Sequence, residues 1–378
     1  MSASVPRITE IIAIPQQERQ EGRQLDTARN VYTLVVVKTD AGLTGVGSAY
    51  TSTDLVNAAL GRLHDLVIGE VAIEPERVHE KLEQSGFWWG RGGTITHAIS
   101  GIDIALWDIF GQATDQPVAR LLGGYYRDRV KPYASLSMSR NADLKAELVA
   151  AMGRGFRAFK LGWGRFMRTG NPADDEAIIR MARETVGDGE IMVDPGGSQQ
   201  FWAHNFKTAL RTADMLADYG VVWFEEALPP DDLEGFKLLR EHSKVYISSG
   251  EVLTRRQSFQ PFIEQGALDI VQPDCTKVGG ITEAKHIAWM AYQHNILTVP
   301  HGWNTAVGLA ADLHLVASLP TGKWVEYHQP SQVIDDIVAE PFQIDAEGML
   351  PVPTGPGLGL KLDWAGIEKL SYGTYKHQ

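Results

Sequence analysis

Apolar and polar positions change rhythm once along the chain, near residue 129. Before it, two alternating runs, Tyr32-Thr33-Leu34-Val35-Val36-Val37-Lys38 and Gly45-Val46-Gly47-Ser48-Ala49-Tyr50, are split by Thr39-Asp40-Ala41-Gly42. Runs of this kind joined by a short turn predict an antiparallel hairpin. Helical spacing follows over residues 55–67, 75–84 and 94–114, the last with apolar residues at 98, 102, 105, 106 and 110. That is an α+β texture. After it, short β-rich runs at 130–136, 157–161, 190–193, 220–224, 244–248, 269–272, 296–299 and 322–325 alternate with amphipathic, helix-length segments. Eight such strands, each followed by a helical segment or a return loop, predict a parallel β/α barrel. The competing fold is a doubly wound sheet, which would carry a Gly-rich phosphate turn after an early strand, and none of that form is present. Gly45-Val46-Gly47 falls inside the hairpin and reads as a turn or bulge. The turn-rich end, with Pro351-Val352-Pro353 and Gly355-Pro356-Gly357-Leu358-Gly359, cannot add a barrel unit and is expected to pack back on the N-terminal part.

Composition narrows the class. With 378 residues the chain suits two domains or a barrel with an appendage, and 44% hydrophobic with 22% charged residues is ordinary for a globular protein. A formal charge of −12 argues against nucleic-acid or anionic-membrane partners, which demand clustered cations. No run of 18 apolar residues and no basic-then-apolar leader is present, so a soluble, cytoplasmic protein is expected. A single cysteine, Cys275, excludes an internal disulfide and reads as a small buried hydrophobe.

The chemistry lies in what ends consecutive strands. Strand two closes on Lys160, strand three on Asp194, and strand four on Glu225 with Glu226 beside it. Ser249-Gly250-Glu251 follows strand five, Gln272-Pro273-Asp274 ends strand six, His301 follows strand seven, and Glu326 ends strand eight. From Asp194 onward the steps run from 23 to 31 residues, one β/α unit each. All these groups should therefore meet at the C-terminal mouth of the barrel, where such folds place their chemistry. Asp194, Glu225 and Glu251 cannot gather ionised without a cation, and an all-oxygen set favours Mg²⁺. Any one of them alone could equally be a helix N-cap. Asp274 and His301 sit on adjacent strands, so the carboxylate can orient the imidazole as a general base, or merely satisfy a buried histidine. The other ten histidines earn no claim. Gly279-Gly280 could cradle an anion at a helix start, but a tight turn explains the pair more simply.

This ordered set, together with Ser100-Gly101-Ile102-Asp103-Ile104-Ala105-Leu106-Trp107-Asp108, Trp223-Phe224-Glu225-Glu226, Gln272-Pro273-Asp274 and Gly355-Pro356-Gly357-Leu358-Gly359, resembles the enolase superfamily and specifically its mandelate racemase subgroup. The resemblance spans nearly the whole chain. It implies a TIM-like (β/α)₇β catalytic barrel at 129–335, an N-terminal α+β capping domain at 1–128, and a C-terminal segment at 336–378 completing the cap. It also implies Mg²⁺ held by Asp194, Glu225 and Glu251, removal of the proton α to a substrate carboxylate, and Glu326 as an acid toward the resulting enediolate. Substrate contacts would come from cap loops, with Tyr50 and Arg23 as candidates. A small sugar-acid carboxylate as ligand and a homo-oligomeric state are the accompanying expectations.

One position departs from the subgroup. There the second strand usually ends in two lysines one residue apart, the second serving as a base; here Lys160 matches the first and Gly162 stands in place of the second. Lys160 then reads as an electrostatic helper, a displaced base, or simply an amine paired with the carboxylates. Trp163 and Arg165 are candidates to use the room beside Gly162. Racemisation at one carbon wants a base on each face, whereas β-elimination needs only His301. The expected activity is acid-sugar dehydration to a 2-keto-3-deoxy acid. The alternatives are a cycloisomerase opening a lactone or anhydro-sugar acid, a racemase or epimerase, and, from another class, a catalytically silent binding barrel.

Overall fold

The computed structural model describes residues 5–19, 31–138, 143–198 and 204–372. Strands β1 (Ile8–Gln16), β2 (Tyr32–Thr39) and β3 (Thr44–Tyr50) form an antiparallel sheet in that order. The hairpin register pairs Tyr32 with Tyr50 and Val36 with Val46. Successive side chains of a strand point to opposite faces, and here both faces are covered. Leu34 and Val36 join the large core continuous with the barrel, while Val35 and Val37 pack among the cap helices. That double burial is why β2 is apolar almost throughout. It also hid β1, whose Ile11-Ile12-Ala13-Ile14 carries no alternation to read: Ala13 faces the cap core and Ile14 the other.

Helices α1 (Thr53–Val67), α2 (Pro75–Ser85) and α3 (Thr94–Thr114) complete the N-terminal part. Gly45-Val46-Gly47 is neither turn nor bulge but the middle of β3, where missing side chains let α3 press against the strand. A short helix, α4 (Val118–Leu121), leads into the barrel.

The barrel runs β4 (Arg129–Met138), α5 (Leu144–Gly153), β5 (Ala158–Gly164), α6 (Pro172–Val186), β6 (Glu190–Asp194), α7 (Phe206–Asp218) and β7 (Val221–Glu225). It continues through α8 (Leu233–His242), β8 (Tyr246–Ser249), α9 (Arg256–Glu264), β9 (Ile270–Val271), α10 (Gly280–Gln293), β10 (Leu297–Thr298), α11 (Ala306–Ala317) and β11 (Trp324–Tyr327). Strand neighbours follow the order β10-β9-β8-β7-β6-β5-β4-β11, all parallel. The fold is a (β/α)₇β barrel. Gly302, just past β10, donates its N–H to Glu326 Oε2 on β11 at 2.9 Å and so ties the two ends of the path together. Side chains of Asn171, Asn205, Asp232 and Thr305 accept N–H groups at the starts of α6, α7, α8 and α11.

The barrel interior explains the strand-end pattern. Tyr133, Met192, Trp223 and Trp324 belong to one apolar layer filling the lumen, with Trp223 edge-on to both Tyr133 and Trp324 at 5.4 Å between ring centroids. Two residues further along each strand the side chain points inward again, one layer nearer the mouth. That step gives Ser135, Asp194, Glu225 and Glu326, and the same step from the layer members Ala158 and Val299 gives Lys160 and His301.

Past β11 come α12 (Gln332–Asp335), β12 (Leu350–Pro351) and α13 (Trp364–Leu370). Strand β12 pairs antiparallel with β4, and Asp108 of α3 accepts N–H groups from Leu358 at 2.9 Å and Val46 at 3.2 Å. The Gln17 N–H donates to Leu370 O at 2.9 Å. The tight turn at Gly279-Gly280 is present, and its helix start does meet an anion, the protein's own Asp103. Gly280 has φ +92°, and a Cβ there would lie 2.1 Å from Asp103 Oδ2. Thr282 N–H donates to the same oxygen at 3.0 Å, and Gly279 N–H to Ser100 Oγ at 2.9 Å. Beside this contact His79 of α2 is buried, with Nε2 3.5 Å from Glu283 Oε2 and Nδ1 4.0 Å from Asp103 Oδ1. Among the described residues no helix is long and apolar enough to cross a membrane.

Candidate active site

The strand ends surround a chamber of about 360 Å³. Lys160, Asp194, Glu251, His301 and Glu326 form its polar base, with Tyr50, Trp163 and Trp303 among its walls.

Asp194, Glu225 and Glu251 are buried, and one oxygen from each lies within 4.8 Å of the others. Two of them are also held from outside. Asp194 accepts Gly196 N–H at 2.8 Å and Trp163 Nε1–H at 3.1 Å, and Glu225 accepts Trp223 Nε1–H at 3.0 Å. The cation supplied by the chain is Lys160. Its Nζ donates to Glu225 Oε1 at 2.9 Å and lies 3.0 Å from Glu326 Oε1 and 3.7 Å from Asp194 Oδ2. Burial disfavours charge on this amine, but Glu225 and Glu326 outweigh it and hold Lys160 well above its ordinary pKa. One lysine cannot offset this many buried carboxylates. Burial, and then the neighbouring Glu225, push Asp194 well above the usual carboxylate range. A further cation would relieve that pressure, and an all-carboxylate donor set suits a hard divalent ion.

Across the chamber, His301 Nδ1 lies 2.7 Å from Asp274 Oδ2. Asp274 is buried, which by itself would raise it, yet its bonds to His301 and Thr276 keep it below the ordinary range and ionised. An ionised carboxylate only accepts, so Nδ1 carries a proton, and in the neutral form of the ring Nε2 is left to accept. Burial opposes protonation of His301, but Glu251, whose Oε2 lies 3.3 Å from Nε2, and Asp274 raise its pKa.

Glu326, expected as a proton donor, stands beside two cationic partners. Burial would raise its pKa, but Lys160 and then His301 pull it down to about 2. With Gly302 N–H also donating to it, Glu326 is a carboxylate in this arrangement. Glu226 has φ +44° and accepts from Ser198 Oγ at 2.5 Å and Ser198 N–H at 3.2 Å, bracing the loop after β6.

Of the proposed substrate contacts, Tyr50 and Trp163 line the chamber. Arg165 does not: the chain turns at Trp163, φ +55°, and Arg165 borders a separate depression with Met138, Leu144 and Met181. Arg23 lies outside the described residues. The space at Gly162 is open, since a Cβ there would meet nothing nearer than Leu136 O at 3.7 Å and Asp194 Oδ2 at 3.8 Å.

Sequence reasoning passed over three residues. Lys277 is buried, donates to Glu251 O at 3.0 Å, lies 3.9 Å from Asp274 Oδ2 and sits 4.3 Å from the Tyr50 ring centroid. Trp303 stacks on His328 with centroids 3.7 Å apart. Their only signal is position: Lys277 is three residues past Asp274, Trp303 two past His301, and His328 two past Glu326.

Known proteins resemble this chain in sequence and fold. A family model described as the mandelate racemase / muconate lactonizing enzyme N-terminal domain matches residues 20–123, and one described as enolase C-terminal domain-like matches residues 143–366. D-galactarolactone cycloisomerase of Agrobacterium fabrum is 30% identical over 358 residues, spanning 89% of this chain and 90% of its own. D-xylonate dehydratase of Haloferax volcanii is 31% identical over 354 residues, spanning 89% and 84%. The crystal structure of the 3,6-anhydro-D-galactonate cycloisomerase from Zobellia galactanivorans superposes with a TM-score of 0.87 at 28% identity, covering 97% of this chain and all of that one. Enzymes of this superfamily use Mg²⁺, in keeping with the buried acidic triad. The chain belongs to the enolase superfamily, in the mandelate racemase subgroup.

Proposed function

We propose that this enzyme is an acid-sugar dehydratase that removes the proton α to a carboxylate and expels the β-hydroxyl as water, leaving a 2-keto-3-deoxy acid. In this reading residues 1–128 and 336–378 build the cap and 129–335 the catalytic barrel. The supporting observation is asymmetry: the chamber carries an oriented His301–Asp274 pair on one side, while the place of a second base at Gly162 is open space.

Mg²⁺ held by Asp194, Glu225 and Glu251 would supply positive charge where charge builds on the substrate carboxylate. The protein's own groups do the rest. His301 Nε2 accepts the α-proton while Asp274 fixes the ring and stabilises the imidazolium. The same protonated His301 then gives its proton to the departing β-oxygen, so both transfers take place on one face. Lys160 adds a fixed cation at the base of the chamber. Glu326 holds Lys160, and can donate to substrate only after taking up a proton itself.

A second reading keeps every role but makes the leaving oxygen a ring oxygen. D-galactarolactone cycloisomerase and D-xylonate dehydratase resemble this chain almost equally, so the cycloisomerase reading stands beside the first. The test is incubation with Mg²⁺ and a panel of aldonates, aldarates, lactones and anhydro-sugar acids, trapping 2-keto products with semicarbazide. A keto product that has lost one water supports dehydration, and one of unchanged mass supports ring opening. Exchange of the C2 proton in D₂O without keto product would overturn both in favour of an epimerase.

A further inference from the structure

The base of the chamber accounts for the reacting end of a substrate, but its walls carry aromatic surface that a carboxylate does not need. Trp163 adopts φ +55°, a conformation bulky side chains avoid unless their surroundings impose it. Two contacts impose it here. Its Nε1–H donates to Asp194 Oδ2 at 3.1 Å, and the indole lies against Gly196, where a Cβ would come within 3.0 Å of Cδ2 and 3.1 Å of Cε2. Held in this way, Trp163 is still 38% exposed and borders the space left open by Gly162. Trp303, stacked on His328, offers a second indole to the same chamber.

A rigid, half-open indole beside a polar floor suits a sugar. The C–H face of a sugar ring is apolar and flat, whereas its hydroxyl edges need polar partners, and an aromatic face matches the former. An extended polyol chain presents no such face. We propose that Trp163 is a specificity-determining platform that receives the carbons beyond the reacting pair, in ring form, with Gly162 supplying room and Gly196 the flat seat. This rests on the acid-sugar reading above.

The platform is tested by equilibrium binding in the presence of Mg²⁺, on a His301→Asn background that does not turn substrate over. The ligands are a sugar-acid lactone, an anhydro-sugar acid, an open-chain aldonate and the short acid glycerate. Trp163→Ala should weaken the ring-form acids by about tenfold, the scale of one aromatic contact, and the open-chain acids by less than about threefold. Trp163→Phe, which keeps a flat face but loses the N–H to Asp194, should retain the ring preference. If Trp163 merely props Asp194, both Trp163 variants will weaken Mg²⁺ binding, read directly by calorimetry, and weaken all acids in parallel; that result overturns the platform. If ring-form and open-chain acids bind but their ratio is unchanged in Trp163→Ala, the platform falls and the acid-sugar reading survives. If no sugar acid binds, the acid-sugar reading falls and the platform with it.

Discussion

His301 holds Asp274 through Nδ1 at 2.7 Å while its Nε2 stands 3.3 Å from Glu251. The imidazole is therefore oriented from behind and faces the metal-type triad in front. His301→Asn should lower kcat by about 10³-fold or more, with Mg²⁺ affinity little changed, since a positioned acid–base group contributes on that scale. It should also abolish C2 deuterium exchange. Full exchange in the variant would remove His301 as the base.

Lys160 is the only lysine within 4.0 Å of Asp194, Glu225 or Glu326 among the described residues. Lys160→Met leaves buried carboxylates unpaired, a change that costs about 3–5 kcal/mol when one partner of a buried pair is lost. Thermal melting without metal should show a large drop, and excess Mg²⁺ should recover part of it by binding the folded state. A melt indifferent to both lysine and metal would contradict the electrostatics described for the site.

The opening at Gly162 is testable by filling it. Gly162 is paired in the β5–β6 ladder and is not in the left-handed backbone region, so a side chain there faces open space without backbone strain. Gly162→Lys should fold and should place a second base across from His301. The expected gain is exchange and inversion at C2, measured by NMR in D₂O, at the expense of keto product. If Gly162→Lys folds and yields only the original product, stereochemistry is not governed from this position.

Acid stability should depend on His314. This buried residue accepts Ala119 N–H at 3.2 Å through Nδ1 and contacts Leu358 O at 3.2 Å through Nε2, which fits only the neutral ring. Burial lowers its pKa to about 4, against about 6.5 in the unfolded chain. The folded state thus binds fewer protons between those values, and stability present above pH 6.5 is lost as pH falls toward 4. For this one group the loss is about 3 kcal/mol. Asp108, raised to about 6 by burial, pulls the other way, so the comparison must be between parent and variant. His314→Gln should be less stable at pH 7 and show a shallower loss between pH 6.5 and 4 in urea titrations. An unchanged slope would mean His314 is not the group responsible.

Much of this architecture is legible because two periodicities coincide. The alternation of side chains along each strand and the recurrence of strand ends every 23 to 31 residues bring Asp194, Glu225 and Glu326 to one end of the barrel. What the sequence hides has physical causes. Strand β1 is buried on both faces and so lacks alternation. Trp303, His328 and Lys277 sit on loops or past strand ends, where spacing carries little information about direction. The ionised state of Glu326 depends on a lysine from a strand more than 160 residues earlier, a contact no local pattern contains. Arg165 fails as a chamber residue because two left-handed residues, Trp163 and Gly164, redirect the chain just before it.

The seating of Asp103 against Gly280 constrains how such a protein can be rebuilt by recombination. The carboxylate belongs to the N-terminal part and the glycine to the barrel, and the gap between them admits no side chain. Helix α10, which this contact anchors, begins only six residues after Asp274, the partner of His301. Exchanging the N-terminal part for that of a relative is therefore not a swap of independent modules. A chimaera must carry both members of this joint, or His301 will lose its alignment with Asp274 along with the seam.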